Sequence, residues 1–568
     1  MNLKATPFNL SDSQVDWVLK TLEGMTTEEK IGQLFCLITY TDNEDYLKYL
    51  AAELKVGGVM LRTMGKEEIK NTVNILQQSA EIPLLISANL EAGLNQTCTD
   101  GTHVGCLMSI GATNDKKYAR LLGEVVGREA SALGINWAFA PVIDIDYNFR
   151  NPITNTRTYG SAPMMVAEMG EEYVKAVEKH GIAASIKHFP GDGVDERDHH
   201  LLASVNTMTT DEWDATYGNV YQRCIDAGAK TVMAGHIMLP SYSKKLCPGI
   251  RDEDIMPGLV ATELLNGLLR EKMNFNGLIV TDSSTMAGVG TVMKREKAVP
   301  MTIAAGCDMI LFTKNLEEDF RFMTAGVVDG TISPQRLDEA VTRILALKAS
   351  LRLPDKAKTR ELEYNESLVT EYLGCEVHRE IAGEVAENAI TLVKEEKNVL
   401  PITSDKYKRI LVYVKESGES AVGMGSKCGA GDSFIEKLRD RGFAVTRFEN
   451  PGGWEGLAAP VSEMEENYDL IIYIANLATK SNQTIVRLEW EEPMGADVPV
   501  YMHSIPTIFI SLANPYHLLD VPRVKTYINA YDGTDIVLDK LMDKLQGKDS
   551  FKGISPVDAF CGKWDTRL

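Results

Sequence analysis

Residues 186–200 read IKHFPGDGVDERDHH, which places four carboxylates, three imidazoles, Lys187 and Arg197 around a Pro-Gly turn. Asp198 and His200 stand two apart, so in an extended segment they share a face. The carboxylate can then accept one imidazole proton and fix the tautomer. A histidine held in this way can give and take a proton near neutral pH, which is the work of a general acid/base. An isolated D-x-H is most often a solvated loop pair, so the neighbouring elements must supply the rest of the case.

Those elements are apolar runs that each finish in a polar group. Asp144 ends NWAFAPVIDI (136–145), Lys187 and His188 end AASIKHF (183–189), His236 ends TVMAGHI (231–237) and Asp282 ends GLIVTDS (277–283). Burying such groups costs several kcal/mol unless they are paired, so packing alone does not account for the pattern. A polar pocket at the carboxyl ends of the strands does. Asp282 can present a carboxylate from a rigid strand, or it can cap the helix that Asp-Ser-Ser is equally able to start. The residues alone leave both open.

Four further runs, IGQLFCLITY (31–40), VGGVMLR (56–62), PLLISAN (83–89) and DMILFT (308–313), bring the total to eight, with helical patterns between them. Near-continuous apolar strands alternating with helices predict a closed (β/α)8 barrel of the TIM type over 1–351, whose site belongs at the carboxyl ends of the strands. In ISPQRLDEAVTRILALK the spacing of Leu337, Ala340, Val341, Ile344 and Leu345 predicts a packing helix capped by Ser333. The polar stretch 352–385 reads as a linker region. Beyond it, runs at 409–415, 443–448, 469–476, 506–513 and 526–531 predict a second α/β domain over 386–568.

The chain has 568 residues and carries 80 acidic against 59 basic side chains, a formal net charge of −21, which argues against nucleic acid and anionic membranes as partners. No run is long and apolar enough for a membrane span and no signal peptide opens the chain, so a cytoplasmic protein is expected. Nine scattered cysteines without C-x-x-C pairs indicate neither a zinc site nor a disulfide framework.

KHFPGDG followed by DHH, together with APVIDID, NPITNTRTYG, VMAGHIMLP and GLIVTDSSTM in this order, resembles glycoside hydrolase family 3, in particular its β-N-acetylglucosaminidase branch. AENAITLVKEEKNVLPI resembles the start of that family's C-terminal α/β sandwich domain. The resemblance implies an exo-acting, retaining β-glycosidase with no metal and no cofactor, working on a small carbohydrate through a covalent glycosyl-enzyme. It implies that Asp282 is the nucleophile and that His200, held by Asp198, is the acid/base. Arg157, Lys187, His188, Asp144, His236 and Met286 are implied as substrate-binding positions. The Gly191 and Gly193 loop is expected to bring the proton donor over bound sugar.

Two positions depart from the family pattern. Asn89 stands where many members have aspartate, with no arginine following, and Glu91 is expected to take over part of that role in substrate binding. Asp192 stands where many relatives have histidine, and its charge is expected to help His200 hold its proton. His199 is read as a surface neighbour, and Glu489, Glu491 and Glu492 as a solvated acidic run. The glycines of GMGSKCGAGDS (423–433) are read as a turn and not as a phosphate loop. A β-glucosidase or a phosphorolytic enzyme is the alternative within the class. Outside it stand a metal-dependent barrel hydrolase, using His188, Asp192, Asp198, His200 and His236, and a non-catalytic sugar-binding protein.

Overall fold

A computed structural model describes residues 1–395, 398–416, 429–449, 459–482, 487–490, 492 and 495–568. The eight apolar runs form eight parallel strands: β1 (Phe35–Thr39), β2 (Gly58–Leu61), β3 (Leu85–Ala88), β4 (Trp137–Ala138), β5 (Ala183–Phe189), β6 (Thr231–Ala234), β7 (Leu278–Ser283) and β8 (Met309–Leu311). Each pairs with its neighbours in sequence and β1 pairs with β8, so the sheet closes into a barrel. Closure removes both sheet edges, and helices cover the outside, which is why these strands tolerate apolar residues on both faces.

β4 is much shorter than the run 136–145 suggests. Pro141 has no N–H to give to a ladder, and after Ala138 the chain leaves strand geometry. It still follows β5, since Ala140 O accepts from Ser185 N–H at 3.1 Å and Ile143 N–H donates to Lys187 O at 2.9 Å. Asp144 is therefore set by an irregular segment tied to β5.

The closing helix Pro334–Ser350 begins as expected, with the Ser333 side chain accepting from Arg336 N–H. It receives the first helix, Asp12–Gly24, through Gln14 Nε2, which donates to Ala349 O at 2.6 Å. At the start of β8 the buried Asp308 gathers Arg270 and Arg336 at 2.7 and 2.6 Å and also accepts the N–H of Ile279 in β7. Three elements are thereby pinned at the end of the barrel where β8 begins.

Much of the stretch expected as a linker is helical, with helices at Leu353–Thr359, Glu366–Tyr372 and Glu376–Ala389. The last of these is held at its start by Glu129. Its buried carboxylate accepts from the Thr102 N–H at 2.9 Å, the Thr102 hydroxyl at 2.5 Å and the Gly374 N–H at 3.1 Å, and it lies 2.8 Å from His378 Nδ1.

The chain folds as two units, and neither is continuous in sequence. The first comprises 1–104, 119–145 and 163–379. The second comprises 105–118, 146–162 and 380–568. In the second unit a six-stranded sheet is ordered β9 (Thr391–Glu395), β14 (Thr526–Asn529), β13 (Thr507–Ser511), β12 (Leu470–Asn476), β10 (Arg409–Glu416) and β11 (Ala444–Arg447). Only the β9–β14 pair is antiparallel, and β9 is the strand that the apolar runs do not announce.

One face of this sheet buries Val412, Ile472, Ile510 and Ile528 with Phe434, Leu438 and Leu541 from the helices Ala430–Asp440 and Asp535–Leu545. On the other face Tyr413, Tyr473, Phe509 and Tyr527 are paired in register on four adjacent strands. Their rings stack at 4.4, 6.0 and 5.5 Å between centroids. Such cross-strand aromatic pairs add about 0.5–1.5 kcal/mol each beyond their burial.

Replacing Glu129 by alanine strands two N–H donors, one hydroxyl and one imidazole in a dry site. Urea unfolding of Glu129→Ala is expected to show a loss of about 3 kcal/mol; a loss under about 1 kcal/mol would contradict this account of the segment.

Candidate active site

Asp144 organises the base of the β5 loop. Its Oδ1 accepts the N–H of His188 at 3.1 Å and of Asp192 at 2.8 Å, while Oδ2 takes His188 Nδ1 at 2.7 Å. The loop is fixed from other sides as well. Tyr217 donates its hydroxyl to Asp192 O, and Asn206 Nδ2 donates to Gly191 O at 3.1 Å. Gly191 has φ +115°, and a Cβ there would meet the Tyr217 ring at 2.3 Å, so the chain turns here only because no side chain is present. These contacts anchor the base of the loop as far as Asp192.

Asp282 ends β7 and is 8% exposed. Leu278, Val280 and Asp282 alternate onto one face of the strand, which carries the carboxylate beyond the apolar layers. Its Oδ1 accepts the N–H of Ser283 at 2.7 Å, and the next helix, Ala287–Gly290, starts after Met286. Asp282 is therefore not a helix cap. Its Oδ2 lies 3.9 Å from His188 Nε2 and 4.0 Å from His199 Nε2. Burial by itself would raise this carboxyl. The imidazoles of His188, His199, His236 and His200 outweigh that and hold it well below the usual carboxylate range.

The imidazoles are not equivalent. His236 Nδ1 accepts the Val289 N–H at 2.9 Å, so its proton sits on Nε2, facing Ser283 O at 3.1 Å. Burial pushes its pKa down to about 4, which agrees with a neutral ring. His200 Nδ1 lies 2.7 Å from Asp198 Oδ1, which also accepts the His200 N–H at 2.8 Å. The side chain is 18% exposed, and Nδ1 is the ring atom engaged by Asp198. His200 O in turn accepts the N–H of Ala287, so the loops after β5 and β7 hold each other.

His199 corrects the sequence reading. It is fully buried and not a surface neighbour. Its ring meets those of His188 and His200 edge-on at 5.1 and 4.9 Å, and its Nδ1 is 3.6 Å from Asp192 Oδ2. The carboxylate of Asp192 is thus directed at His199, and the one against His200 is Asp198. Burial drives His199 well below the ordinary imidazole range, and the neighbouring His200 and His188 rings add to that effect. The segment is not extended as the sequence suggests but a turn, with Leu201 N–H donating to Asp198 O at 3.0 Å, and it is this turn that brings His200 back to the Asp198 carboxylate.

Lys187 and Glu91 form a buried ion pair at 2.7 Å. Glu91 and Asn89 follow β3, and the Tyr173 hydroxyl donates to Leu90 O at 2.7 Å between them. Met286 is nearly buried beside the short helix after β7. Arg157 ends a 3-10 turn, Asn155–Arg157, inside the segment 146–162 that belongs to the second unit. The structure thus brings together Asp144, His188, Asp282, His236 and the Asp198–His200 pair, and adds His199.

Among the described residues, one group of His, Cys, Asp and Glu is close enough to hold a metal ion. It is His188, His199 and Asp282, with ligand atoms within 4.8 Å of one another. The set His188, Asp192, Asp198, His200 and His236 does not converge in this way. Most of the glycine-rich stretch, 423–428, lies outside the described residues, as does Glu491. At the following helix start, the N–H groups of Gly429 and Gly431 already donate to the Glu416 carboxylate at 3.1 and 2.8 Å, which occupies the position an anion would take. Glu489 is exposed. Among the described residues, no helix is long and apolar enough to cross a membrane.

Residues 26–347 match the family description "Glycosyl hydrolase family 3 N terminal domain". A Cellulomonas fimi protein named beta-N-acetylglucosaminidase/beta-glucosidase is 58% identical over 568 residues, covering 100% of both chains. Among solved structures, the beta-glucoside phosphorylase BglX is 42% identical with TM-score 0.93, covering 100% of this chain and 99% of that one. A family 3 beta-N-acetylglucosaminidase from Paenibacillus sp. str. FPU-7 is 25% identical with TM-score 0.79, covering 94% and 99%. The barrel, the residues that end its strands and the match across more than half of the sequence establish that this chain belongs to glycosyl hydrolase family 3.

Proposed function

We propose that the protein is a retaining, exo-acting β-glycosidase whose principal substrates are N-acetyl-β-glucosaminides. The observation that carries this reading is the pairing, at one barrel mouth, of a buried carboxylate with two imidazoles within 4.0 Å of it and a separate His–Asp dyad at 2.7 Å. In the first step the Asp282 carboxylate attacks the anomeric carbon. The glycosidic C–O bond breaks, and His200 Nε2–H gives its proton to the departing oxygen. In the second step neutral His200 takes a proton from water, the oxygen attacks the anomeric carbon and Asp282 leaves. Asp198 keeps the His200 proton pattern fixed in both steps. Lys187, Glu91, Asn89, Asp144, His188, His236 and Met286 are proposed to line or support the sugar site, and Arg157 is proposed as a sugar-binding residue on the family resemblance alone.

A specific observation favours a second reading, transfer of the glycosyl group to phosphate. The acid/base is an imidazole, which in its neutral form repels an incoming anion less than a carboxylate would. Phosphate that is already ionised needs no base to attack the anomeric carbon, and the product would be a glycosyl 1-phosphate. The likeness to the beta-glucoside phosphorylase supports this reading, and a β-glucoside is then the alternative substrate. The acidic chain, the free cysteines and the lack of a spanning helix among the described residues support a cytoplasmic setting.

Nitrophenol release from aryl N-acetyl-β-glucosaminide and aryl β-glucoside, with and without phosphate, tests both readings. Asp282→Ala is expected to lose roughly 10⁴-fold or more in kcat; substantial activity in that variant would contradict the assignment. His200→Ala is expected to lose about 10²–10⁴-fold on substrates with poor leaving groups and far less on nitrophenyl glycosides in the first step. An equal loss on both would remove His200 as the proton donor. Stimulation by phosphate with formation of a sugar 1-phosphate is the expected result for transfer, and free sugar at an unchanged rate is the result for hydrolysis.

A further inference from the structure

The geometry points to a site for a divalent transition-metal ion of the zinc type, formed by His188, His199 and Asp282, at which the ion switches the enzyme off by occupying the nucleophile.

His188 gives its Nδ1 side to Asp144 at 2.7 Å, which leaves Nε2 as the atom facing Asp282 Oδ2 at 3.9 Å. A ligand imidazole backed by a carboxylate is the usual outer-shell arrangement of a protein zinc site. His199 supplies the independent observation. It is fully buried, neither ring nitrogen has a hydrogen-bond partner among the described residues, and Nε2 lies 4.0 Å from the same Asp282 oxygen. At 3.9–4.0 Å these contacts are too long for hydrogen bonds. With metal–ligand bonds of about 2.0–2.2 Å, two donors of a tetrahedral ion stand about 3.3–3.6 Å apart, so the two Asp282 contacts need to close by about half an ångström and the imidazole nitrogens, within 4.8 Å of each other, by up to about 1.5 Å.

The donor set selects the ion. Two imidazole nitrogens and one carboxylate oxygen suit zinc and its neighbours, whereas calcium and magnesium call for six or more oxygens. The other two imidazoles are committed: both nitrogens of His236 are in use, and His200 Nδ1 belongs to Asp198. An ion here neutralises Asp282 and stands where the anomeric carbon must come. The metal is therefore an inhibitor competing with substrate, and chelator protects activity where it would destroy that of a metal-dependent hydrolase. Binding of the ion does not depend on Asp282 being the nucleophile; the inhibition rests on that reading.

Zinc titration calorimetry on the full chain tests the site, run in a Cys247→Ser background because that thiol is exposed. One zinc per chain is expected, with affinity falling at least about 10–100-fold in His199→Ser. Zinc-edge X-ray absorption of the unmutated protein, which requires no variant to fold, is expected to show nitrogen and oxygen ligands with two imidazoles. Absence of stoichiometric binding, equal affinity in His199→Ser, or sulfur in the zinc shell would overturn the assignment. Competitive inhibition by zinc, reversed by chelator, is the expected kinetic result. Tight binding at this site with no effect on turnover would retain the site and reject the nucleophile reading.

Discussion

The carboxylate of Asp282 must remain charged in a place that favours the neutral acid. It stands at the end of a strand whose preceding residues are apolar and almost wholly inaccessible, where desolvation acts against ionisation. A protonated carboxyl could not attack an anomeric carbon. His188, the foremost of the imidazoles around it, acts against that preference, and the hydrogen bonds that orient those imidazoles account for much of what the β5, β6 and β7 loops do. Asp144 sets His188, the Val289 N–H and Ser283 O set His236, and the link from Ala287 to His200 O fixes one loop against the next.

The barrel supplies rigidity for this arrangement. Closed parallel pairing leaves β7 no freedom to slide, because a shift of one residue would turn Asp282 to the other face. At the start of β8, Asp308 and its arginines add a second constraint on β7 through the Ile279 N–H. The second unit holds its own sheet by different means, with a ladder of four stacked rings on one face and aliphatic packing against helices on the other.

Much of this was legible in the sequence for a physical reason. Strands covered on both faces must be nearly continuous in apolar residues, so the eight runs announce themselves, and polar groups at their ends are conspicuous because burial penalises them. What was not legible depends on tertiary partners. The brevity of β4 follows from Pro141 and from the alternative hydrogen bonds that β5 offers. The helix that opens at Glu376 is held at its start by Glu129, more than two hundred residues away. β9 borders the sheet through an antiparallel pairing that its half-exposed residues do not advertise. His199 was misread because a polar residue in an acidic loop suggests solvent, whereas it sits inside a turn, closed by Leu201 N–H to Asp198 O at 3.0 Å, that is buried among His188, His200 and Asp282.

The central claim is that Asp282 becomes covalently bonded to the sugar. Incubation with a 2-deoxy-2-fluoro-β-glycosyl fluoride, which slows the second step more than the first, followed by proteolysis and peptide mass mapping, tests this directly. The account predicts one fluorosugar per chain on the peptide containing Asp282, released when an acceptor is added. Label on any other residue, or turnover with inverted anomeric configuration and no adduct, would contradict it.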